Sequence, residues 1–147
     1  MNWTPHVTVA CVLQRDHKFL LVEERIDGQL VLNQPAGHWE QGETLIEASV
    51  RETLEETAWR YQPSYLTGIY QWQHPETVET YLRFCFTGEL LAHDPQRKLD
   101  KEIEQVVWLD EEQLKARADE HRSPLVQQCI DDYIDGQRFE LSLIQAM

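Results

Sequence analysis

The sequence predicts an α+β sandwich in which strands and helices occur in separate runs along one chain. Several segments rich in apolar and β-branched residues precede one long amphipathic helical pattern. More such segments follow it, and further helical patterns come last. A doubly wound sheet would instead alternate strands and helices regularly. The 147 residues can bury a substantial core but are too few for two ordinary domains, so we expect a single domain, residues 1–147.

The segments before the long helix are expected to form three strands and a loop. The predicted strands are 6–14, 19–24 and 30–32. A polar turn would join the first two as a hairpin, and the loop 33–38 would follow the third. The helix is expected from Thr44 to about Thr57. Thr44 and Glu47 have the spacing of a capping box, and no Gly or Pro follows before Pro63.

The segments after this helix are expected to form three more strands and then two helices. The predicted strands are 65–72, 78–90 and 105–109. Asp110 would cap a helix that runs to about Ala118. Ser123 and Pro124, as N-cap and first helical residue, would begin a last helix that ends before Gly136.

The chain is strongly acidic, which bears on its partners. It carries 26 Asp and Glu against 13 Lys and Arg, a formal net charge of −13 at pH 7. Surfaces that bind nucleic acid are usually basic, so we expect no nucleic-acid partner. No apolar run reaches membrane-spanning length and the first residues do not resemble a signal peptide. We therefore expect a cytoplasmic protein without a membrane partner, and leave its oligomeric state open, a monomer included.

The three cysteines, Cys11, Cys85 and Cys129, are widely spaced and lie in apolar segments. This pattern favours buried, reduced thiols, with a disulfide or a zinc site as the alternative.

The long helix carries three glutamates on one face. At about 100° per residue, Glu52, Glu55 and Glu56 cluster within roughly a quarter to a third of the circumference. The apolar residues Ile46, Val50 and Leu54 line the opposite face, so we expect them to pack on the sheet. Such a pattern is also typical of a solvated surface helix. A hard divalent cation would nevertheless convert the repulsion between the glutamates into affinity, since Mg²⁺ prefers carboxylate oxygens.

The region around this helix, residues 37–59, resembles the Nudix box. That signature reads Gly-x5-Glu-x7-Arg-Glu-aliphatic-x-Glu-Glu-x-Gly-aliphatic. Six of its seven fixed residues are present at the right spacing: Gly37, Glu43, Arg51, Glu52, Glu55 and Glu56. Ala58 replaces the last Gly, and Thr53 replaces an aliphatic residue. Because Ala enters the left-handed region at a cost of about 1 kcal/mol, we expect the helix to run slightly longer or to exit differently.

The resemblance implies a fold, a reaction and a set of metal ligands. The fold is the Nudix fold, an α/β/α sandwich around a mixed β-sheet. The reaction is hydrolysis of a diphosphate linkage in a small-molecule substrate, with Mg²⁺ as the cofactor and Mn²⁺ as its substitute. The implied ligands are the carboxylates of Glu52 and Glu56, with Glu55 as an additional ligand, and the backbone carbonyl of Ala36.

Further roles in catalysis also come from the resemblance. Glu43 and Arg51 are implied as the pair that orients the metal ligands. The general base is left open, because in this family it is either a glutamate of the box or an acid on a later loop. Glu102 is the best later candidate in this sequence, and Glu104 is the second.

Segments outside the box resemble the bacterial NudJ-type phosphatases of this family. These segments are 6–12, 19–24, 33–38, 71–72, 82–84 and 122–126. The resemblance implies hydrolysis of hydroxymethylpyrimidine diphosphate and thiamine diphosphate. It also implies action on nucleoside di- and triphosphates, often with release of orthophosphate.

Four residues are candidates for contact with the substrate. Gln34 and His38 flank the metal loop and could touch phosphate or base, although His38 could equally be an ordinary loop residue. Trp72 could stack on a ring, with core packing as the alternative. Arg83 alternates with aromatic residues and could clamp the charge of the substrate, or could form a surface salt bridge.

Three other functions compete with this reading. The nearest is a Nudix pyrophosphatase of another specificity, for dinucleotides or ADP-sugars. A Nudix-fold isomerase of prenyl diphosphates is a weaker alternative, because Cys11 and Cys85 are predicted to be core residues. A non-catalytic ligand sensor is disfavoured because it would not need the retained carboxylates.

Overall fold

The computed structural model describes residues 2–147 of the chain. Its helices and longer strands follow the predicted order. The elements are β1 (His6–Val12), β2 (Gln14–Arg15), β3 (Lys18–Ile26), β4 (Gln29–Asn33), β5 (Ala36–His38), α1 (Leu45–Thr57), β6 (Trp59–Gln73), β7 (Thr80–His93), β8 (Ile103–Leu109), α2 (Glu111–Ala116), α3 (Leu125–Ile134) and β9 (Phe139–Glu140). Two short 3₁₀ turns, Ala118–Glu120 and Leu141–Leu143, were not predicted.

The strands form two sheets. The first has the order β5-β1-β7-β6-β9, in which β1 and β7 are parallel and the other pairs are antiparallel. In the second sheet β3 pairs with β2, β4 and β8. The sequence-based prediction of an α+β sandwich is therefore confirmed, and the mixed first sheet agrees with the architecture that the resemblance implied.

Alternate residues of β1 connect the two sides of the sandwich. Val9 packs with Ala48 of α1 on one face of the first sheet. Ala10 points to the other face, where it packs with Leu21 of the second sheet and Ile130 of α3. This period of two is expected for a strand that is covered on both faces. Near the start of β1, the face that carries Ala10 also contributes to the main cavity of the described chain.

The β6–β7 hairpin extends further than the sequence predicted. β6 begins at Trp59 instead of residue 65, and β7 runs to His93 instead of residue 90. Irregularities in the pairing around Pro63 allow a proline within the long strand. A side chain at Gly88 would collide with the backbone of Gln62, so this close approach requires glycine. No local pattern of residues had indicated either extension.

The packing of α1 is only partly as predicted, because Ile46 and Val50 do pack against core clusters of the sheet but are not the residues that the helix buries most. The buried residues are Ala48, Ser49, Thr53, Glu56 and Thr57, whereas Ile46, Val50 and Leu54 are only partly buried. Small residues bring the helix close to the sheet, and their hydroxyl groups find local partners. The hydroxyl of Thr53 donates to the Ser49 carbonyl oxygen at 2.8 Å and lies 3.2 Å from the sulfur of Cys11. This rotation of the helix takes Glu56 into the interior.

The exit from α1 also differs from the expectation. The helix ends at Thr57, and Ala58 adopts the left-handed conformation with φ of 63°. Its N–H donates to the Leu54 carbonyl oxygen at 2.9 Å, as in the C-cap that glycine usually provides. Alanine thus accepts the strained geometry, and the helix neither lengthens nor leaves by another route.

Smaller corrections concern the other helices and the loop 33–38. The helix that begins after Asp110 ends at Ala116, before the predicted Ala118. Pro124 is the N-cap of α3 and not its first residue. Part of the loop 33–38 forms β5.

All three cysteines are free and buried, as predicted. Within residues 2–147, none of the helices is long and apolar enough to span a membrane.

Candidate active site

A cavity of about 870 Å³ opens between the two sheets beside α1. One end, called here the carboxylate end, contains Glu52, Glu56, Asp100 and Glu102. The adjoining surface, called here the recognition wall, contains Thr8, Asn33, Trp72, Tyr81 and Arg83. Both sheets contribute residues, so the packing of the sandwich brings the two groups together.

The carboxylate end contains two groups of acids that could hold a cation. Oxygen atoms of Glu52, Glu55 and Asp100 lie within 4.8 Å of one another, and so do those of Glu56, Asp100 and Glu102. Glu56 is 3% exposed, and the backbone N–H of Ala36 donates to one of its oxygens at 2.9 Å. The sequence had predicted the glutamates of α1 and Glu102 for this region. Asp100, which belongs to both groups, was not predicted.

Arg51 ties three of the predicted glutamates together. Its guanidinium donates to Glu43 at 2.7 and 2.9 Å, to Glu52 at 2.8 Å and to Glu55 at 2.7 Å. It also donates to the His38 carbonyl oxygen at 3.0 Å. The hydrogen bond from Arg51 lowers the pKa of Glu43. The pairing of Arg51 with Glu43 that the resemblance implied is present, and Arg51 also reaches Glu52 and Glu55.

Burial raises the pKa of both main carboxylates. The pKa of Glu52 is raised to about 7 by burial, and the hydrogen bond and charge of Arg51 only partly offset this. The pKa of Glu56 is raised to about 9, again mainly by burial, although the N–H of Ala36 lowers it; Glu24 and Glu52 raise it further. A positive charge placed between these acids would reverse the effect by favouring their ionised forms.

The two late candidates for the general base lie in different places. Glu102 lines the cavity, with Asp100 and Glu56 close by. The side chain of Glu104 instead accepts a hydrogen bond from Arg25 at 2.7 Å, and Glu104 is not a lining residue of the cavity. Of the two candidates for the general base, only Glu102 therefore lies beside the acids of the carboxylate end. The backbone N–H of Asp100 donates to the Glu55 carbonyl oxygen at 3.0 Å, which joins this loop to α1.

The outer part of the recognition wall is aromatic. Trp72 pairs with Tyr81 across the β6–β7 hairpin, and their ring centroids are 5.7 Å apart. Tyr81 also stacks on His6 at 4.8 Å. Trp72 is half-buried and lines the cavity, so the alternative that it is a core residue is wrong. His38 lines the cavity as well, and its pKa is lowered first by burial and then by the charges of His6 and Arg122.

The inner part of the recognition wall is polar and incompletely paired. Arg83 is 7% exposed and donates to the side-chain oxygen of Gln34 at 2.9 Å, but its Nε has no partner among the described residues. The same holds for the hydroxyl of Thr8 and the side-chain oxygen of Asn33. Arg83 makes no ion pair within residues 2–147, so the alternative of a surface salt bridge is wrong.

Gln34 has a different position from the one expected. It is 1% exposed and lies behind the cavity wall, where its amide donates to the Cys11 carbonyl oxygen at 3.0 Å. Its oxygen accepts the hydrogen bond from Arg83. The prediction that Gln34 contacts substrate is therefore not supported, and its contacts show that it positions Arg83.

The comparisons with known proteins agree with this geometry. A family model described as the NUDIX domain matches residues 4–129. The chain belongs to the Nudix family. Over 140 residues, 95% of this chain and 90% of the relative, it is 44% identical to proteins named phosphatase NudJ from Escherichia coli K12 and Shigella boydii. A NUDIX hydrolase from Nitrosomonas europaea superposes with a TM-score of 0.95 at 48% identity, covering 98% of both chains.

Membership explains the fixed residues of the Nudix box in physical terms. A Cβ at Gly37 would collide with the carboxylate of Glu52, so glycine leaves the space in which that carboxylate lies. Arg51 and Glu43 hold the neighbouring side chains in place. Nudix hydrolases act on phosphorus-containing anhydrides and generally use a divalent metal. The clustered carboxylate oxygens, of which those of Glu56 are buried, fit such a cation.

Several residues that line the cavity of this Nudix hydrolase were not predicted from the sequence. They are Thr8, Glu24, Asn33, Asp100 and Arg122. Asp100 carried a weak signal, because it lies two residues before Glu102 on the same loop. Arg122 lies in a segment noted for its resemblance to other family members, but no role had followed from that. The buried cysteines of the described core, Cys11 and Cys85, are each 0% exposed, which argues against a chemical role for these thiols.

Proposed function

We propose that this Nudix hydrolase is a Mg²⁺-dependent phosphatase that acts on hydroxymethylpyrimidine diphosphate, thiamine diphosphate and nucleoside di- and triphosphates. The observation that carries the proposal is the position of Glu52 and Glu56 at one end of a cavity with an aromatic and guanidinium wall. The relatives named phosphatase NudJ support phosphatase activity, and the substrates proposed are those that the resemblance of the segments outside the Nudix box implies. Mn²⁺ is expected to replace Mg²⁺, since both accept hard oxygen ligands.

Glu52 and Glu56 are proposed as the main metal ligands, with Glu55 and the backbone carbonyl of Ala36 as additional ones. Glu43 acts through Arg51, which fixes the side chains of Glu52 and Glu55. When bound, the cation supplies positive charge that neutralises the diphosphate and acidifies water. The chain's contribution is to hold the carboxylates in place before the substrate arrives.

The proton from the attacking water goes to a carboxylate in this proposal. Glu102 is the proposed base, and Asp100 beside it is the alternative. As the water oxygen forms a bond to phosphorus, the anhydride P–O bond breaks in line with it. The leaving phosphate or phosphomonoester is a stable anion, so no dedicated general acid is required.

The recognition wall is proposed to hold the remainder of the substrate. Arg83, held by Gln34 and without a carboxylate partner, clamps a phosphate oxygen. Trp72 stacks on the ring of the organic group, and His38 contacts the region between ring and phosphates. Stacking on one ring tolerates different bases, which fits a broad substrate range.

A substrate panel with product identification tests this function. The purified protein would be assayed with hydroxymethylpyrimidine diphosphate, thiamine diphosphate, ADP, ATP, ADP-ribose and a dinucleoside polyphosphate, with Mg²⁺ and with EDTA. We expect orthophosphate from the first four and none in EDTA. Rapid cleavage of ADP-ribose or the dinucleotide to nucleoside monophosphate, with little turnover of the first four, would replace this proposal with the pyrophosphatase alternative.

A further inference from the structure

Two arginines line the cavity, and they come from different sheets. Arg83 belongs to β7 of the first sheet, whereas the backbone N–H of Arg122 donates to the Leu32 carbonyl oxygen of β4 in the second sheet, at 2.9 Å. The cavity otherwise contains many acids, among them Glu24, Glu52 and Glu56. A phosphate substrate therefore meets only two guanidinium groups among the lining residues of the described chain.

The backbone of Arg122 is firmly fixed. Besides the hydrogen bond to Leu32, the preceding residue His121 forms an isolated bridge with Leu32. Five residues earlier, Arg117 donates to the buried Glu23 at 2.7 Å and anchors the start of the same segment. The helix α3 begins at Leu125, three residues after Arg122. The position from which the Arg122 side chain extends is thus defined by both neighbouring elements.

The guanidinium group of Arg122 is held only loosely. Its side chain is 46% exposed, and Nη1 donates to the two oxygens of Glu24 at 3.2 and 3.4 Å. Hydrogen bonds between charged groups are ordinarily about 2.7–2.9 Å long. The other ion-paired guanidinium of this segment, Arg117, makes three such bonds at 2.7–3.0 Å. Arg122 therefore has donors to spare and can change partner at little cost.

Glu24 connects this arginine with the carboxylate end. It is 2% exposed, it lines the cavity, and its charge is one of the causes that raise the pKa of Glu56. A buried carboxylate needs a nearby positive charge. Arg122 supplies that charge in the ligand-free protein, and a cation held by the neighbouring acids can supply it in the loaded one.

We propose that Arg122 is a second phosphate-binding residue, which leaves Glu24 and binds a phosphate oxygen of the substrate when the cavity is loaded. The inference rests on the proposed function, because it requires a polyphosphate in this cavity. Arg122 and Arg83 would then approach the substrate from the two sheets. Arg122 would bind a phosphate group that the cation at the carboxylate end does not contact. Its contribution to substrate binding is therefore larger for nucleoside triphosphates than for nucleoside diphosphates.

Steady-state kinetics with ATP and ADP in Mg²⁺ test the proposal. Arg122→Gln is expected to raise KM for ATP about 10- to 100-fold, the value of one lost charge-assisted hydrogen bond, and KM for ADP less. Arg122→Lys keeps the charge but loses the planar guanidinium group. Its KM for ATP should therefore lie between the KM of the wild-type protein and that of Arg122→Gln. The matched control is Arg25→Gln, which breaks the exposed ion pair of Arg25 with Glu104 outside the cavity and should leave both KM values unchanged.

A double variant separates substrate binding from mere neutralisation of Glu24. If Arg122 only neutralises that carboxylate, Glu24→Gln combined with Arg122→Gln would restore the wild-type KM, and this result would overturn the proposal. We expect KM to stay high in the double variant. Calorimetric titration with a methylene-bridged ATP analogue should show the same 10- to 100-fold loss of affinity in Arg122→Gln, measured at a temperature at which the variant is fully folded.

The two proposals fail in different ways. If the wild-type protein hydrolyses neither ATP nor any diphosphate of the panel, the proposed function is lost and this inference with it. If the wild-type protein is active and Arg122→Gln has the KM of the wild type for ATP, only the role of Arg122 is wrong.

Discussion

At the carboxylate end of the cavity the polar side chains around Arg51 are already bound to protein partners, whereas on the recognition wall several are not. Arg51 alone makes five hydrogen bonds, four of them to glutamates. On the recognition wall, atoms of Thr8, Asn33 and Arg83 are buried without a partner among the described residues. Unpaired buried polar atoms cost roughly 1–3 kcal/mol each. Three of the five residues that carry such atoms within residues 2–147 line this cavity, where a bound ligand would supply their partners, whereas Thr67 and Gln127 lie outside it.

The carboxylate end and the recognition wall therefore serve different parts of the reaction. A site that holds a cation must be arranged before the substrate arrives, because reorganisation during the reaction would add to the barrier. A site that accepts several organic groups benefits from donors and acceptors that are not committed to one internal partner. The carboxylate end should therefore control kcat, and the recognition wall should control KM.

The largest expected effect is that of Glu56→Gln. Loss of this buried carboxylate should lower kcat by at least ~10²-fold, because each 1.36 kcal/mol of lost transition-state stabilisation costs about a factor of ten. Glu52→Gln should behave similarly. Glu47→Gln is the matched control, because Glu47 is an exposed residue of the same helix that does not line the cavity. A well-folded Glu56→Gln protein with near-wild-type kcat would contradict this prediction and would show that α1 has only a structural role.

A smaller effect is expected for Trp72→Ala on the recognition wall. Loss of stacking worth about 1–3 kcal/mol should raise KM for ring-bearing substrates roughly 10- to 100-fold with little change in kcat. A ring-free alkyl diphosphate should be hydrolysed with unchanged KM. Trp3→Ala removes an exposed tryptophan outside the cavity and serves as the control. An equal rise in KM for ring-bearing and ring-free substrates would show that Trp72 acts on the shape of the whole cavity.

The carboxylate end and the recognition wall also differ in how far the sequence alone could predict them. Half of the carboxylate end, Glu52 and Glu56, comes from α1, where helical spacing alone places these two glutamates beside Glu55. The recognition wall is assembled from β1, β4, β6 and β7, so the proximity of Thr8 to Arg83 depends on the pairing of distant strands. No local pattern reports such a pairing, and Thr8 and Asn33 were missed for this reason.

The errors at α1 have a related cause. A helical wheel ranks Ile46, Val50 and Leu54 as the packing face because it counts apolar side chains. Ile46 and Val50 do pack against the core, but the most buried side of the helix contains Ser49 and Thr53, whose hydroxyl groups bond to nearby groups and so can be buried. Rotation of the helix toward these small residues also buries Glu56, which the cation site needs. Function and packing thus determine this face together.

The raised pKa of Glu56 predicts a pH dependence of stability for the metal-free protein. The folded-state pKa is about 9 and the ordinary value is 4.5, so between these values the folded protein binds more protons than the unfolded chain. The resulting stability is complete below pH 4.5 and is lost as pH rises toward 9. The Tm in EDTA should therefore fall between pH 6 and 9, and Mg²⁺ should reduce the fall. In Glu56→Gln most of this slope should vanish; an unchanged slope would mean that other groups cause it.

The smallest effect is expected for Ala58→Gly at the end of α1. Ala58 has φ of 63°, and glycine adopts this conformation without the Cβ penalty. The free energy of unfolding from urea titration should rise by about 0.5–1 kcal/mol, while kcat and KM stay unchanged. A large loss of activity would show that the helix end, and not only its glutamate face, sets the geometry of the carboxylate end.

Calorimetric titration of the metal-stripped protein with Mg²⁺ shows whether the glutamates of α1 hold the catalytic cation. The wild-type protein and Glu47→Gln should bind the cation with the same affinity and release protons at pH 7, because Glu56 must ionise to act as a ligand. Glu56→Gln should bind at least about tenfold more weakly and release fewer protons. Equal affinity and equal proton release in Glu56→Gln and the wild-type protein would contradict the account.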